Sequence, residues 1–166
     1  MQTEVVLSLG GNKGDREKLL FRAIESLNDH FQLIRVSKIY ETTAWGGVAK
    51  GNFLNQLAII FTGLGPEEVL EIIQQIEHDL GRQRHEPWGD RTMDIDILYF
   101  GDQILSTEKL KIPHPFIAER KFILVPLAEI LPEKINPVLG KNSVEMLEEC
   151  KDQEEVKLYK KINPAI

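Results

Sequence analysis

One cysteine in 166 residues leaves no internal disulfide, and Cys150, in a polar stretch, reads as incidental rather than catalytic. No apolar run approaches the roughly 20 residues that span a bilayer. The amino terminus has no leader pattern: Gln2-Thr3-Glu4 is polar and the apolar stretch Val5 to Leu9 is short, so a cytoplasmic protein without a membrane partner is expected. Basic charge is not in excess. A formal charge of -6 excludes a general nucleic-acid coat, which needs a basic face. What is present, 42% hydrophobic and 28% charged residues, suits one globular domain over 1–166 with a charged tail from about 151 to 166.

Strand and helix patterns alternate without repeats. Glu4 to Leu9 reads as a strand, and Gly10-Gly11-Asn12-Lys13-Gly14 turns it into a helix capped by Asp15, with Leu20, Ala23, Ile24, Leu27 and Phe31 on one stripe. That turn fits neither GxxxxGK[ST] nor GxGxxG, so its glycines serve a tight turn rather than a phosphate cradle. Gln32 to Tyr40 reads as a second strand, 41–52 as a polar loop and Phe53 to Thr62 as a third strand. Gly65-Pro66-Glu67-Glu68 opens a helix with the stripe Val69, Ile72, Ile73, Ile76, Leu80. A fourth strand runs from about Thr92 to Phe100, and Gly101-Asp102 turns it into a hairpin with Gln103-Ile104-Leu105. The remainder reads as mixed and helical. The class is α+β: a ferredoxin-like β-α-β-β-α-β core with an additional C-terminal hairpin and helices. That architecture hosts many functions and settles none.

The chemistry lies in Arg91-Thr92-Met93-Asp94-Ile95-Asp96-Ile97. Side chains at i and i+2 of a strand leave the same face about 7 Å apart, so Asp94 and Asp96 point together while Ile95 and Ile97 face away. Two carboxylates on one rigid face suit Mg²⁺, which is held by one or two carboxylates plus phosphate oxygens and water. On spacing alone an edge strand with one solvated face is an equally good reading. Trp88, with Arg82, Arg84 and Arg91 before the pair and His114 and Arg120 after it, favours an anion site, because arginine forks bind phosphate oxygens bidentately. Asn55 is the other unusual residue. An amide among Phe53, Leu57, Ile59 and Phe61 requires a partner.

Arg82-Gln83-Arg84 followed by Trp88-Gly89-Asp90-Arg91-Thr92-Met93-Asp94-Ile95-Asp96 resembles the signature of the hydroxymethyl-dihydropterin pyrophosphokinases of folate biosynthesis. Leu9-Gly10-Gly11-Asn12, Phe53-Leu54-Asn55-Gln56, Ile112-Pro113-His114-Pro115 and Arg120-Lys121-Phe122 extend the resemblance over about 4–130. It implies transfer of pyrophosphate from ATP to 6-hydroxymethyl-7,8-dihydropterin, releasing AMP, with two Mg²⁺ at Asp94 and Asp96 and Arg82 as a catalytic group on a closing loop. It also implies nucleotide contacts from Gln74, Glu77, Arg84, Trp88, Arg91, Ile97, Lys109, His114 and Arg120. For the pterin it implies a wall of Thr42, Thr43, Ala44 and Trp45, a sandwich of Phe53 and Phe122, and an edge contact from Asn55. Taken without the family, Phe53 and Phe122 are ordinary core, Gln74 and Glu77 a solvated helix face, and His114 a loop histidine with a structural hydrogen bond. Pro87, Asp90, Thr43-Ala44, Trp45, Lys109 and Pro115 depart from the family pattern, which bears on the loop and on nucleotide affinity rather than on the reaction. A monomer that binds no nucleic acid is expected. The rivals are a metal-dependent phosphohydrolase, which would release free phosphate, and a ligand-binding module on the same scaffold.

Overall fold

The computed structural model describes residues 2–42, 52–81 and 92–159. Thr43, Ala44, Trp45, Arg82, Arg84, Pro87, Trp88, Asp90 and Arg91 lie outside the described residues, as does the closing loop.

Strand β1 (Thr3–Gly11) leads into helix α1 (Arg16–His30), where the Asp15 carboxylate accepts the Lys18 N–H at 3.2 Å. Gly14, at φ +77°, makes the turn possible. The stretch expected to be one strand over 32–40 is two, β2 (Gln32–Val36) and β3 (Tyr40–Thr42). Ser37 causes the break: its N–H keeps a bond to the Leu57 carbonyl at 2.9 Å, but its hydroxyl accepts the Leu57 N–H at 2.9 Å and its carbonyl accepts the Gln56 side-chain amide at 2.9 Å, so side-chain bonds replace the return half of the ladder. Strand β4 (Phe53–Thr62) is long enough to pair with both pieces. Helix α2 (Pro66–Asp79) starts with proline at its first position, and Glu68 accepts the Gly65 N–H at 3.0 Å.

Strand β5 (Asp94–Phe100) is antiparallel to β1, and the sheet runs β5-β1-β4-β3, with β2 also on β4. After the turn at Gly101, residues 103 and 104 do not pair with β5 as expected. The hairpin forms one step later, between β6 (Leu105–Ser106) and β7 (Lys111–Ile112), and His114 N–H then bonds back to the Leu98 carbonyl at 2.9 Å. Helices α3 (Lys121–Ile130) and α4 (Ser143–Glu149) follow. The segment expected to be a charged tail instead supplies strand β8 (Val156–Leu158), antiparallel to β3 at the sheet's far edge.

Alternation along the strands loads both faces of the sheet. Val5, Leu7 and Leu9 pack with Leu20, Leu27 and Ile73 of α1 and α2, while Val6, Leu57 and Ile59 pack with Ile123, Leu124 and Leu127 of α3 and with Met146 of α4. Among the described residues no helix is long and apolar enough to cross a membrane.

Candidate active site

Asp94 and Asp96 lie on one face of β5, with Ile95 and Ile97 buried on the other, as strand periodicity requires. The alternation holds for four residues and then breaks. The β1 partners jump from Ile97 to Tyr99 between Leu7 and Val6, so Leu98 and Tyr99 both enter the second core cluster. The acidic end of β5 is fixed from two sides. Gly10 and Ser8 of β1 stand opposite Asp94 and Asp96, and Glu77 of α2 accepts the Ile95 N–H at 2.7 Å. Glu77 is only 4% exposed, so half of the helix face expected to be solvated is buried against the strand. Gln74, one turn earlier, is exposed.

Two cavities meet at the carboxylates. The first, about 420 Å³, is lined by Thr42, Phe53, Asn55 and Phe122 together with Asp94 and Asp96. The second, about 370 Å³, is lined by Gln74, Glu77, Ile97, Lys109 and His114, again with Asp94 and Asp96. Residues scattered over half the chain in two groups are therefore collected into two spaces that share one acidic pair. Arg120 is the exception. It borders the first cavity instead of the second, its guanidinium 4.9 Å from the Phe116 ring centre and 5.7 Å from that of Phe122.

Asn55 has the partner its burial demands, donating its amide N–H to the Thr42 hydroxyl at 2.9 Å. The room for it comes from Gly10, its cross-strand neighbour, since a Cβ there would meet Asn55 Oδ1 at 2.6 Å. The glycine-rich turn thus has a second role beside its bend. His114 accepts the Phe116 N–H on Nδ1 at 3.1 Å, which leaves the proton of the neutral ring on Nε2. Burial, then the Arg120 charge, push its pKa down to about 4, against a smaller upward pull from Asp94.

Sequence reasoning missed Ser8, Phe116, Glu119, Asp152 and Glu154 in the first cavity. The acids Asp152 and Glu154 sit in a charged stretch with no periodicity to mark them. Partial burial and the neighbouring Asp152 hold the Glu154 carboxyl above its usual range, with Arg120 opposing. Among the described residues no group of three or more His, Cys, Asp or Glu side chains is arranged to hold a metal ion. The acidic pair is a two-carboxylate set of hard oxygen donors.

The family model for 7,8-dihydro-6-hydroxymethylpterin-pyrophosphokinase matches residues 6–132. The 2-amino-4-hydroxy-6-hydroxymethyldihydropteridine pyrophosphokinase of Aquifex aeolicus is 42% identical over 137 residues, covering 82% of this chain and 86% of its own. That of Bacillus subtilis is 46% identical over 132 residues, covering 78% and 79%. Among solved structures, wild-type HPPK-DHPS of Plasmodium falciparum with pteroate superposes at a TM-score of 0.73 and 17% identity, over 90% of this chain and 42% of that longer one, a likeness of fold alone. By the extent of the family match and by identity to these relatives, this chain belongs to the 7,8-dihydro-6-hydroxymethylpterin-pyrophosphokinase family.

Proposed function

We propose that the protein transfers a pyrophosphoryl group from ATP to the hydroxymethyl oxygen of 6-hydroxymethyl-7,8-dihydropterin, giving AMP and the pterin diphosphate in folate biosynthesis. The observation that carries this reading is the sharing of Asp94 and Asp96 by two cavities. An acceptor alcohol in one space and a triphosphate in the other would meet at the acids. Such juxtaposition makes two-substrate transfer a matter of positioning.

The first cavity suits a flat heterocycle. Phe53 and Phe122 offer ring faces and Asn55 a buried amide for the ring edge. Thr42, with Thr43, Ala44 and Trp45, would form the adjoining wall. The second cavity suits the nucleotide, with Gln74, Glu77, Ile97, Lys109 and His114 as contacts. His114, kept neutral, would donate from Nε2 to a phosphate or ribose oxygen without carrying a charge of its own. Arg84, Trp88 and Arg91 join the nucleotide set on the strength of the family resemblance, and Arg120, which borders the first cavity, would have to reach the phosphates from the pterin side. Arg82 joins as a catalytic group, stabilising charge as it moves to the leaving AMP.

Mg²⁺ fits the acidic pair: two carboxylates share a strand face whose backbone is held by β1 and by Glu77, and hard oxygen donors are what that ion takes. When bound, two such ions would neutralise charge on the bridging oxygens of the triphosphate. The chain's own part is to hold Asp94 and Asp96 still, orient the alcohol between aromatic faces and keep water from the phosphorus. The new bond joins the substrate oxygen to the β-phosphorus, the bond broken links the α- and β-phosphates with AMP leaving, and the alcohol proton would pass to the Asp96 carboxylate. The strand order β5-β1-β4 with β2 and β3 beyond also supports the ferredoxin-like reading of the core. We further propose a monomer working in the cytoplasm, where ATP is supplied.

The test is a coupled assay with ATP, Mg²⁺ and the hydroxymethyl-dihydropterin. Stoichiometric AMP and pterin diphosphate are expected. Free phosphate with an unmodified pterin would overturn the proposal in favour of a phosphohydrolase.

A further inference from the structure

We propose that residues 151–159 form a strap that sets the width of the first cavity, with Asp152 as a positioning residue for the pterin. The inference rests on the functional reading above and concerns a segment beyond the span matched by the family model.

The strap is anchored to both walls of the cavity. At one end the Asp152 carboxylate accepts the Lys121 N–H at 3.0 Å, immediately before Phe122, and its other oxygen accepts the Glu154 N–H at 3.0 Å. Helix α3 has no side-chain cap of its own, because Arg120 precedes it. Asp152 therefore supplies from a distance the acceptor that a capping residue would supply locally. At the other end β8 pairs with β3, with Val156 opposite Thr42, the residue whose hydroxyl takes the Asn55 amide. Beyond it Tyr159 donates its backbone N–H to the Ile39 carbonyl at 2.9 Å, and its hydroxyl bonds to Glu17 of α1. Phe122 and Thr42 come from different layers of the fold. The strap links them through hydrogen bonds at each end, and Asp152 and Glu154 themselves line the space between.

No residue of the strap lines the second cavity. A loosened strap should therefore harm the pterin and spare the nucleotide, whereas an ordinary packing role would lower stability without separating the two ligands. The experiment compares Asp152→Ala, Asp152→Asn and a chain shortened to residue 150 with the parent protein. Binding of the pterin, with and without a non-hydrolysable ATP analogue, and of the analogue alone are measured beside thermal melting. We expect the pterin Kd to rise about ten-fold in Asp152→Ala, about 1.4 kcal/mol of binding free energy. In Asp152→Asn, whose amide oxygen still accepts from Lys121, most of that loss should be recovered, and the analogue Kd should hold in both. An unchanged pterin Kd in folded Asp152→Ala, or equal weakening of both ligands, would overturn the inference. If the shortened chain does not fold, the two point variants decide. A parent protein that binds no pterin at all would instead overturn the functional reading and this inference with it, an outcome distinct from equal binding by parent and variant.

Discussion

Gly10 and Asn55 face each other across the β1–β4 pair so closely that a Cβ on Gly10 would lie 2.6 Å from Asn55 Oδ1 and 3.3 Å from the Leu54 carbonyl oxygen. The amide cannot simply swing aside, because its nitrogen is bonded to the Thr42 hydroxyl and the residue is 4% exposed. The glycine is therefore the condition for an amide in that place.

Gly10→Ala is expected to cost about 1–3 kcal/mol of stability, the range for overpacking a filled site, and to weaken pterin binding sharply. Asn55→Ala in the same chain should remove the 2.6 Å contact and recover part of the stability, the 3.3 Å contact to the Leu54 carbonyl remaining, without restoring the pterin. Urea melts and calorimetry on the parent and the two variants check both halves. Wild-type pterin affinity in Gly10→Ala would mean that Asn55 takes no part in recognition.

Asp94→Asn and Asp96→Asn should each lower the transfer rate by orders of magnitude while leaving the melting temperature nearly unchanged, since each removes a negative ligand from a site read as cationic when loaded. Single-turnover rates at saturating ATP and Mg²⁺ give the measurement. Pterin affinity should suffer less than rate, and near-normal turnover in either variant would remove the metal assignment.

The features legible in the sequence are those with a local cause. Asp15 as a cap, Pro66 at a helix start and the paired direction of Asp94 and Asp96 each follow from a few neighbouring residues. The features that were not legible depend on distant partners. Ser37 breaks a strand because it meets Leu57, and nothing in 32–40 announces that contact. Val156–Leu158 is too short to show a period and becomes a strand only because β3 has a free edge. For the site, the two groups of residues were readable as types, but their division around one acidic pair is a property of the sheet. Arg120 shows the limit: its sequence neighbours suggest a phosphate ligand, while packing lays it over Phe116 and Phe122.

Glu77 is expected to act through the strand as well as on the nucleotide. Its carboxylate accepts the Ile95 N–H between the two aspartates, and Glu77→Ala would leave that buried donor without it, a loss of about 1–3 kcal/mol. Glu77→Gln keeps an acceptor and should retain most of the stability. If Glu77→Ala melts like the parent and turns over at the same rate, the strand does not need this support.

His114 should make the protein lose stability in weak acid. Its folded pKa is about 4 against an ordinary 6.5, so below pH 6.5 the unfolded chain takes up a proton that the folded one refuses. The stabilisation is complete above pH 6.5 and declines as pH falls towards 4, by at most about 1.4 kcal/mol per pH unit. His114→Asn removes the titration while its amide oxygen can still accept the Phe116 N–H. The stability difference between parent and variant should therefore be flat above neutrality and shift against the parent between pH 6.5 and 4. Nuclear magnetic resonance titration separates the causes: Arg120→Ala should raise the His114 pKa by removing a like charge, and Asp94→Asn should lower it further by removing an opposite one. A His114 resonance titrating near 6.5 in the folded protein would mean that the ring is charged over the nucleotide cavity in weak acid, and its assignment as a neutral donor would fall.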